Sequence, residues 1–105
     1  MRLVVKTLMA FLFIFSISFS ATIGSTTQLL DQAQQAIKEA FEAGCSTYTP
    51  YEYYKAEAYY QIAKNEASLL NLDTSRAASL KAMEWAFKAI NKRYNQEIIK
   101  ERNKR

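Results

Sequence analysis

The sequence predicts an all-α fold, a three-helix antiparallel arrangement that follows an N-terminal signal peptide. Three observations predict it. Beyond residue 20, apolar residues recur every three or four positions, the spacing of amphipathic helices. The same region has no Val and is rich in Ala, Leu, Glu, Lys and Gln, which lose little rotamer freedom in a helix. Gly44 and Pro50 stand where one helix should stop and the next should start. A chain of 105 residues fits one domain, so residues 21–105 are read as a single small helical domain with a basic tail at 91–105.

The leader comes first. Arg2 and Lys6 precede an apolar run from Leu8 to Phe19, and Ser18-Phe19-Ser20 supplies small residues before Ala21. This is the outline of a secretory signal peptide. As a helix the run is about 18 Å long, short of a roughly 30 Å hydrocarbon core. An uncleaved anchor within residues 7–30 is the alternative, because no charge occurs from Thr7 to Leu30. Both place the rest of the chain outside the cytoplasmic membrane, in the periplasm or cell envelope. Ala43-Gly44-Cys45 is not a lipoprotein box, since Glu42 precedes it and the apolar run lies far upstream.

The first helix is expected at about 27–43, capped by Thr26 or Thr27. Leu29, Leu30, Ala33, Ala36, Ile37, Ala40 and Phe41 share one side of it. Gly44 should end it in the left-handed conformation, leaving Cys45 in a loop as an unpaired thiol, or as an intermolecular disulfide. Thr49-Pro50-Tyr51-Glu52 marks the second helix, about 50–70, with Thr49 as cap and Glu52 closing a capping box. Its two apolar flanks are Tyr51, Ala58, Ile62 and Leu69, and Tyr53, Ala56, Tyr60, Ala63 and Ala67. Two flanks imply two neighbours. Asn71-Leu72-Asp73 is a short connection to an antiparallel third helix at about 74–100, capped by Asp73 or Thr74. Its expected seam is Leu80, Met83, Phe87, Ile90, Tyr94 and Ile98, spaced as in a short coiled coil. A second strip of Ala78, Ala82, Trp85 and Ala89 is either covered by the first helix or left as a partner face.

Composition excludes much chemistry. There is no His, hence no imidazole base or ligand, and a single Cys builds neither a zinc site nor an internal disulfide. Carboxylate pairs such as Glu39 with Glu42 and Glu97 with Glu101 read as solvated helix faces. No enzyme activity, cofactor or metal is expected.

The stretch Lys55-Ala56-Glu57-Ala58-Tyr59-Tyr60-Gln61-Ile62-Ala63-Lys64, after the Thr-Pro-Tyr-Glu start and before Ala77, Ala78, Ala82, Ala86 and Ala89, resembles a bacterial envelope helical domain family of unknown function (domain of unknown function 4398). It is also similar in texture to a tetratricopeptide hairpin. The resemblance implies an envelope location and a helical hairpin, and no activity. The chain departs from that family's frequent lipobox, and it has one hairpin where solenoid repeats need about three units.

Six of the seven Tyr lie between Tyr48 and Tyr60. Tyr48, Tyr54 and Trp85 are the candidate partner-binding residues, because aromatic side chains with a polar tip are favoured at interfaces. The net charge of +4 divides into a leader of +2, a body (21–90) of −2 and a tail (91–105) of +4. Lys92, Arg93, Lys100, Arg102, Lys104 and Arg105 are therefore candidate anion-binding residues. The expected function is a non-catalytic interaction or structural module of the cell envelope, its hairpin contacting an envelope protein or a second copy. The alternative is a binder of anionic envelope polymers or lipid head groups through the basic tail. Nucleic acid is not expected, since the leader sends the chain away from it.

Overall fold

The computed structural model describes residues 25–104; the proposed signal peptide, most of the alternative anchor and Arg105 lie outside the described residues. Among the described residues the fold is all-α, with three main helices and no strand. We number the elements α1 (residues 25–42), α2 (Cys45–Tyr48), α3 (Pro50–Ser68) and α4 (Leu72–Asn103).

Residues 25 and 26 are already helical and Thr26 is buried, so neither Thr26 nor Thr27 caps α1. The helix ends as expected at Gly44, whose φ is +84° and whose N–H donates to Phe41 O at 2.9 Å. Cys45 does not then enter a loop. It opens the single turn of α2 and is wholly buried against the core. A thiol so placed cannot reach a second chain without opening the bundle, which removes the intermolecular disulfide.

Pro50 occupies the first turn of α3 as expected, but the capping box does not form. The buried Thr49 hydroxyl lies 3.3 Å from both Cys45 O and Ala89 O and donates there, and its oxygen accepts no N–H from the start of α3. Glu52 accepts from Lys92 of α4 at 3.0 Å. Both side chains that could close the helix locally are used in tertiary contacts instead.

The turn after α3 is tighter than expected. Leu70 takes φ +63°, its N–H donates to Ala67 O, and Asn71 N–H donates to Glu66 O. That bond pair is a Schellman ending, here without glycine. Only residues 69–71 remain outside the helices, so Leu72 and Asp73 belong to α4. Asn71, not Asp73 or Thr74, is its N-cap, with no side-chain cap bond. Asp73 pairs with Arg76 within the first turn.

α3 and α4 are antiparallel: Thr49 meets Ala89 at one end of the pair and Ser75 meets Ala63 at the other. α1 runs antiparallel to α3, with the rings of Phe41 and Tyr53 6.3 Å apart. The core is made largely of alanine. Ala33 and Ala40 of α1, Ala56 of α3, and Ala82, Ala86 and Ala89 of α4 are completely buried in one cluster. Small side chains bury little area each, but they let helix backbones approach closely and gain dense dispersion contact.

This overturns the expected seam. Leu80, Phe87, Tyr94 and Ile98 are 53%, 47%, 58% and 54% exposed, and only Met83 and Ile90 pack against the edge of the core. The strip containing Ala78, Ala82 and Ala89 faces inward together with Ser75, Ser79 and Ala86. Alanine faces on α1 and α3 match it, whereas a row of Leu, Phe and Tyr would hold the helices apart. The same choice is made on α3. Tyr53, Ala56 and Ala63 are buried, while Tyr51, Ala58, Ile62 and Leu69 are exposed, so one flank with its margins meets both neighbours.

Candidate interaction surfaces

The three aromatic candidates occupy three separate places. Tyr48 ends α2, and its ring carries the Arg93 guanidinium 3.8 Å from the centroid. Tyr54 stands on the exposed side of α3, edge-on to Tyr53 at 5.2 Å. Trp85 lies at the α3–α4 margin, half-buried and edge-on to Tyr51 at 5.7 Å. The ammonium groups of Lys55 and Lys88 stand 5.2 and 4.5 Å from its ring, so its own chain supplies the cation–π partners.

The basic candidates also divide. Lys92 is tied to Glu52, and Arg93 donates to Ala43 O, stacks on Tyr48 and pairs with Glu97. These two hold the end of the bundle together. The last tertiary hydrogen bond along α4 is Gln96 Nε2 to Tyr48 O at 3.2 Å. Lys100, Arg102 and Lys104 lie past it on an exposed helical overhang. Burial pushes the Glu52 carboxyl up, but the Lys92 hydrogen bond, a bond to its own backbone amide and the Lys92 charge outweigh this and hold it below its usual value.

Two further surfaces stand out in the structure. An open groove of about 880 Å³ runs between α1 and α3, with the rings of Phe41, Tyr53 and Tyr54 beside the amides of Gln34, Gln35 and Gln61. Within it Tyr53 OH donates to Glu57 at 3.0 Å. Burial first, then that carboxylate, push the Tyr53 phenol up to about 12. Aromatic and amide residues of two helices converge there, a placement that depends on how α1 docks and has no linear signature.

The second feature is the exposed large-residue face of α4. Leu80, Phe87 and Tyr94 repeat every seven residues, with Ile98 continuing the row onto the overhang. Scattered exposed apolar residues are ordinary, and a continuous row along one helix is a candidate contact surface. Its period is visible in the sequence, but in the structure the row lies outside the core.

Among the described residues no group of three His, Cys, Asp or Glu is placed to hold a metal ion, and no helix is long and apolar enough to cross a membrane. No protein-family model, curated protein or solved structure matches this chain, so the envelope-family resemblance has only its own residues as support.

Proposed function

We propose that this chain is a non-catalytic contact module of the bacterial cell envelope, which engages a protein partner through the outer face of α4. The observation that carries the reading is the exposed row Leu80, Phe87, Tyr94 and Ile98 on a helix of 32 residues. Export rests on the leader pattern of residues 1–20, and the absence of His leaves little for catalysis to use. The helical hairpin serves as a rigid holder that keeps this face straight and outward.

The proposal is tested by photo-crosslinking in cells, with a benzophenone side chain placed at Phe87 or at Tyr54. Protein adducts are expected from position 87 and few from position 54. Equal adducts from both positions, or none from 87, would count against α4 as the contact face. A second reading has its own support. Lys100, Arg102 and Lys104 on the overhang favour attraction to anionic polymers or lipid head groups. Retention on anionic vesicles that falls with salt would favour this reading; retention indifferent to salt would remove it.

A further inference from the structure

We infer that the groove between α1 and α3 binds a neutral oligosaccharide segment, with sugar rings against Phe41 and Tyr54 and hydroxyl groups on Gln34 and Gln61. This site is separate from the outer face of α4 and does not depend on it. Its volume of about 880 Å³ lies in the range of ligand-binding clefts. At one end Phe41 of α1 and Tyr54 of α3 are 59% and 56% exposed, with the buried ring of Tyr53 in contact with both. Aromatic rings present negatively polarised faces to C–H groups. A sugar ring has an apolar C–H face and a rim of hydroxyl groups, so it needs aromatic surface and paired donors and acceptors side by side.

The groove supplies the second kind of group as well. Gln34 on α1 and Gln61 on α3 line it, and neither has a hydrogen-bond partner among the described residues. At the far end of the bundle, by contrast, Arg93 and Gln96 are committed to carbonyls of neighbouring segments. Each free amide has an acceptor oxygen and two N–H donors, enough for two adjacent hydroxyl groups. Burial, then the Asp31 charge across the groove, push the Tyr60 phenol up, which keeps it a donor on the opposite wall. A second, shallower hollow of about 660 Å³ shares Asp31 and Gln35 with the groove and adds Thr27, Gln28 and Gln32. The polar lining therefore continues along α1 from residue 41 to residue 27, about 21 Å at 1.5 Å per residue. Such a strip suits an extended chain better than a compact small molecule.

Charge selects a neutral ligand. Asp31, Glu57 and Lys38 are the charged groups of the groove, and the Glu57 carboxylate is already held by Tyr53. No Arg lines it, so a phosphate or carboxylate finds no bidentate partner. Lys38 opposes the two carboxylates, so a cation gains little. A peptide fits less well. Among the described residues no strand offers an edge for it to extend, and Lys38 and Glu57 interrupt the apolar surface that a docked helix needs. The open groove covers one side of the sugar chain, and each hydroxyl group gives up water to bind. The affinity is therefore weak, with Kd on the order of 1 mM.

The test titrates the isotope-labelled chain, in its exported form, with three neutral sugars: the β-linked N-acetylglucosamine tetramer, cellotetraose and maltotetraose. The side-chain amide resonances of Gln34 and Gln61 and the backbone signal of Tyr54 should move with at least one of them. Those of Leu80 and Phe87 should stay. The matching monosaccharide should bind at least several-fold more weakly than the tetramer. Gln34→Ala combined with Gln61→Ala should weaken binding roughly tenfold, and Tyr54→Ala several-fold. All three positions are exposed, and unchanged unfolding midpoints verify that the variants fold. No movement with any of the three sugars at millimolar concentration overturns the inference, and so does binding indifferent to these substitutions. Movement with the de-acetylated, cationic tetramer alone would make the groove a cation site, and movement with a proline-rich peptide alone would make it a peptide site; either result also overturns it. Crosslinking at position 87 reports only on the outer face of α4, so the two readings fail separately.

Discussion

The Ser75 hydroxyl donates a 2.7 Å hydrogen bond to the carbonyl of Ala63, tying the first turn of α4 to the last third of α3. One turn further along α4, Ser79 is equally buried, yet its hydroxyl has no partner among the described residues. The same chemical group therefore has opposite effects at two successive inward positions. Ser75→Ala should destabilise by about 1 kcal/mol, the net worth of a buried hydrogen bond. Ser79→Ala should be neutral or stabilising by up to about 1 kcal/mol, because it removes a desolvated hydroxyl with nothing to bind. Thermal or urea unfolding of the two variants checks this, and equal losses would contradict it.

Leu70 holds a left-handed conformation, φ +63°, with its side chain largely in solvent. A residue with a Cβ is strained there by roughly 1–2 kcal/mol, and little burial offsets the strain. Leu70→Gly should stabilise the hairpin by about 0.5–1 kcal/mol, the relieved strain less the extra entropy of glycine in the unfolded chain. Gly44→Ala, at φ +84° with Tyr48 Cδ2 3.2 Å from the new methyl group, should destabilise by at least about 1 kcal/mol. Unfolding midpoints that move in the same direction in both variants would refute this account of the two turns.

These two turns also mark what the sequence could and could not reveal. Gly44 was legible because glycine announces a left-handed helix ending. Leu70 does the same job without that signal, so the third helix was started two residues late. The single turn of α2 is too short to show any period. The larger error concerned which face of α4 is the core. Hydrophobicity ranks Leu80 and Phe87 above Ala82 and Ala86, and the sequence leaves open whether the first helix covers the strip of Ala78, Ala82 and Ala89, which it does. The deciding fact is non-local: α1 and α3 present alanine faces, and only a small-residue face on α4 lets three backbones close on one another. Thr49 and Glu52 were misread for a related reason, because partners on α4 outcompete the local cap. Tyr54 lies on the exposed side of α3, and the groove beside it exists only once α1 has docked.

Tyr53 provides a pH test of that docking. Its phenol is buried, donates to Glu57 and is pushed up to about 12, against about 10 in an unfolded chain. The folded state thus keeps a proton that the unfolded state gives up first. This contribution to stability is complete below about pH 10 and is lost as pH rises towards 12. Tyr53→Phe should cost about 0.5–1 kcal/mol at neutral pH, for the lost hydrogen bond, and should flatten the alkaline decline between pH 10 and 12. Urea unfolding at several pH values checks it. A variant whose alkaline slope equals that of the parent would show that Tyr53 does not remain protonated when folded.

The inversion of α4 is tested by exchanging bulk between its two faces. Ala82 is completely buried against alanines of the neighbouring helices, so there is no space beside it for a longer side chain. Ala82→Leu adds hydrophobicity but must push the helices apart, and overpacking of this kind costs about 1–3 kcal/mol. Phe87 is 47% exposed, and its truncation to Ala leaves no closed cavity. The loss should stay near 1 kcal/mol, below the 3–5 kcal/mol of a core phenylalanine. Were the Leu80–Phe87 row the true interior, the order would reverse, with Phe87→Ala crippling and Ala82→Leu tolerated. Unfolding free energies of the two variants decide between these orders.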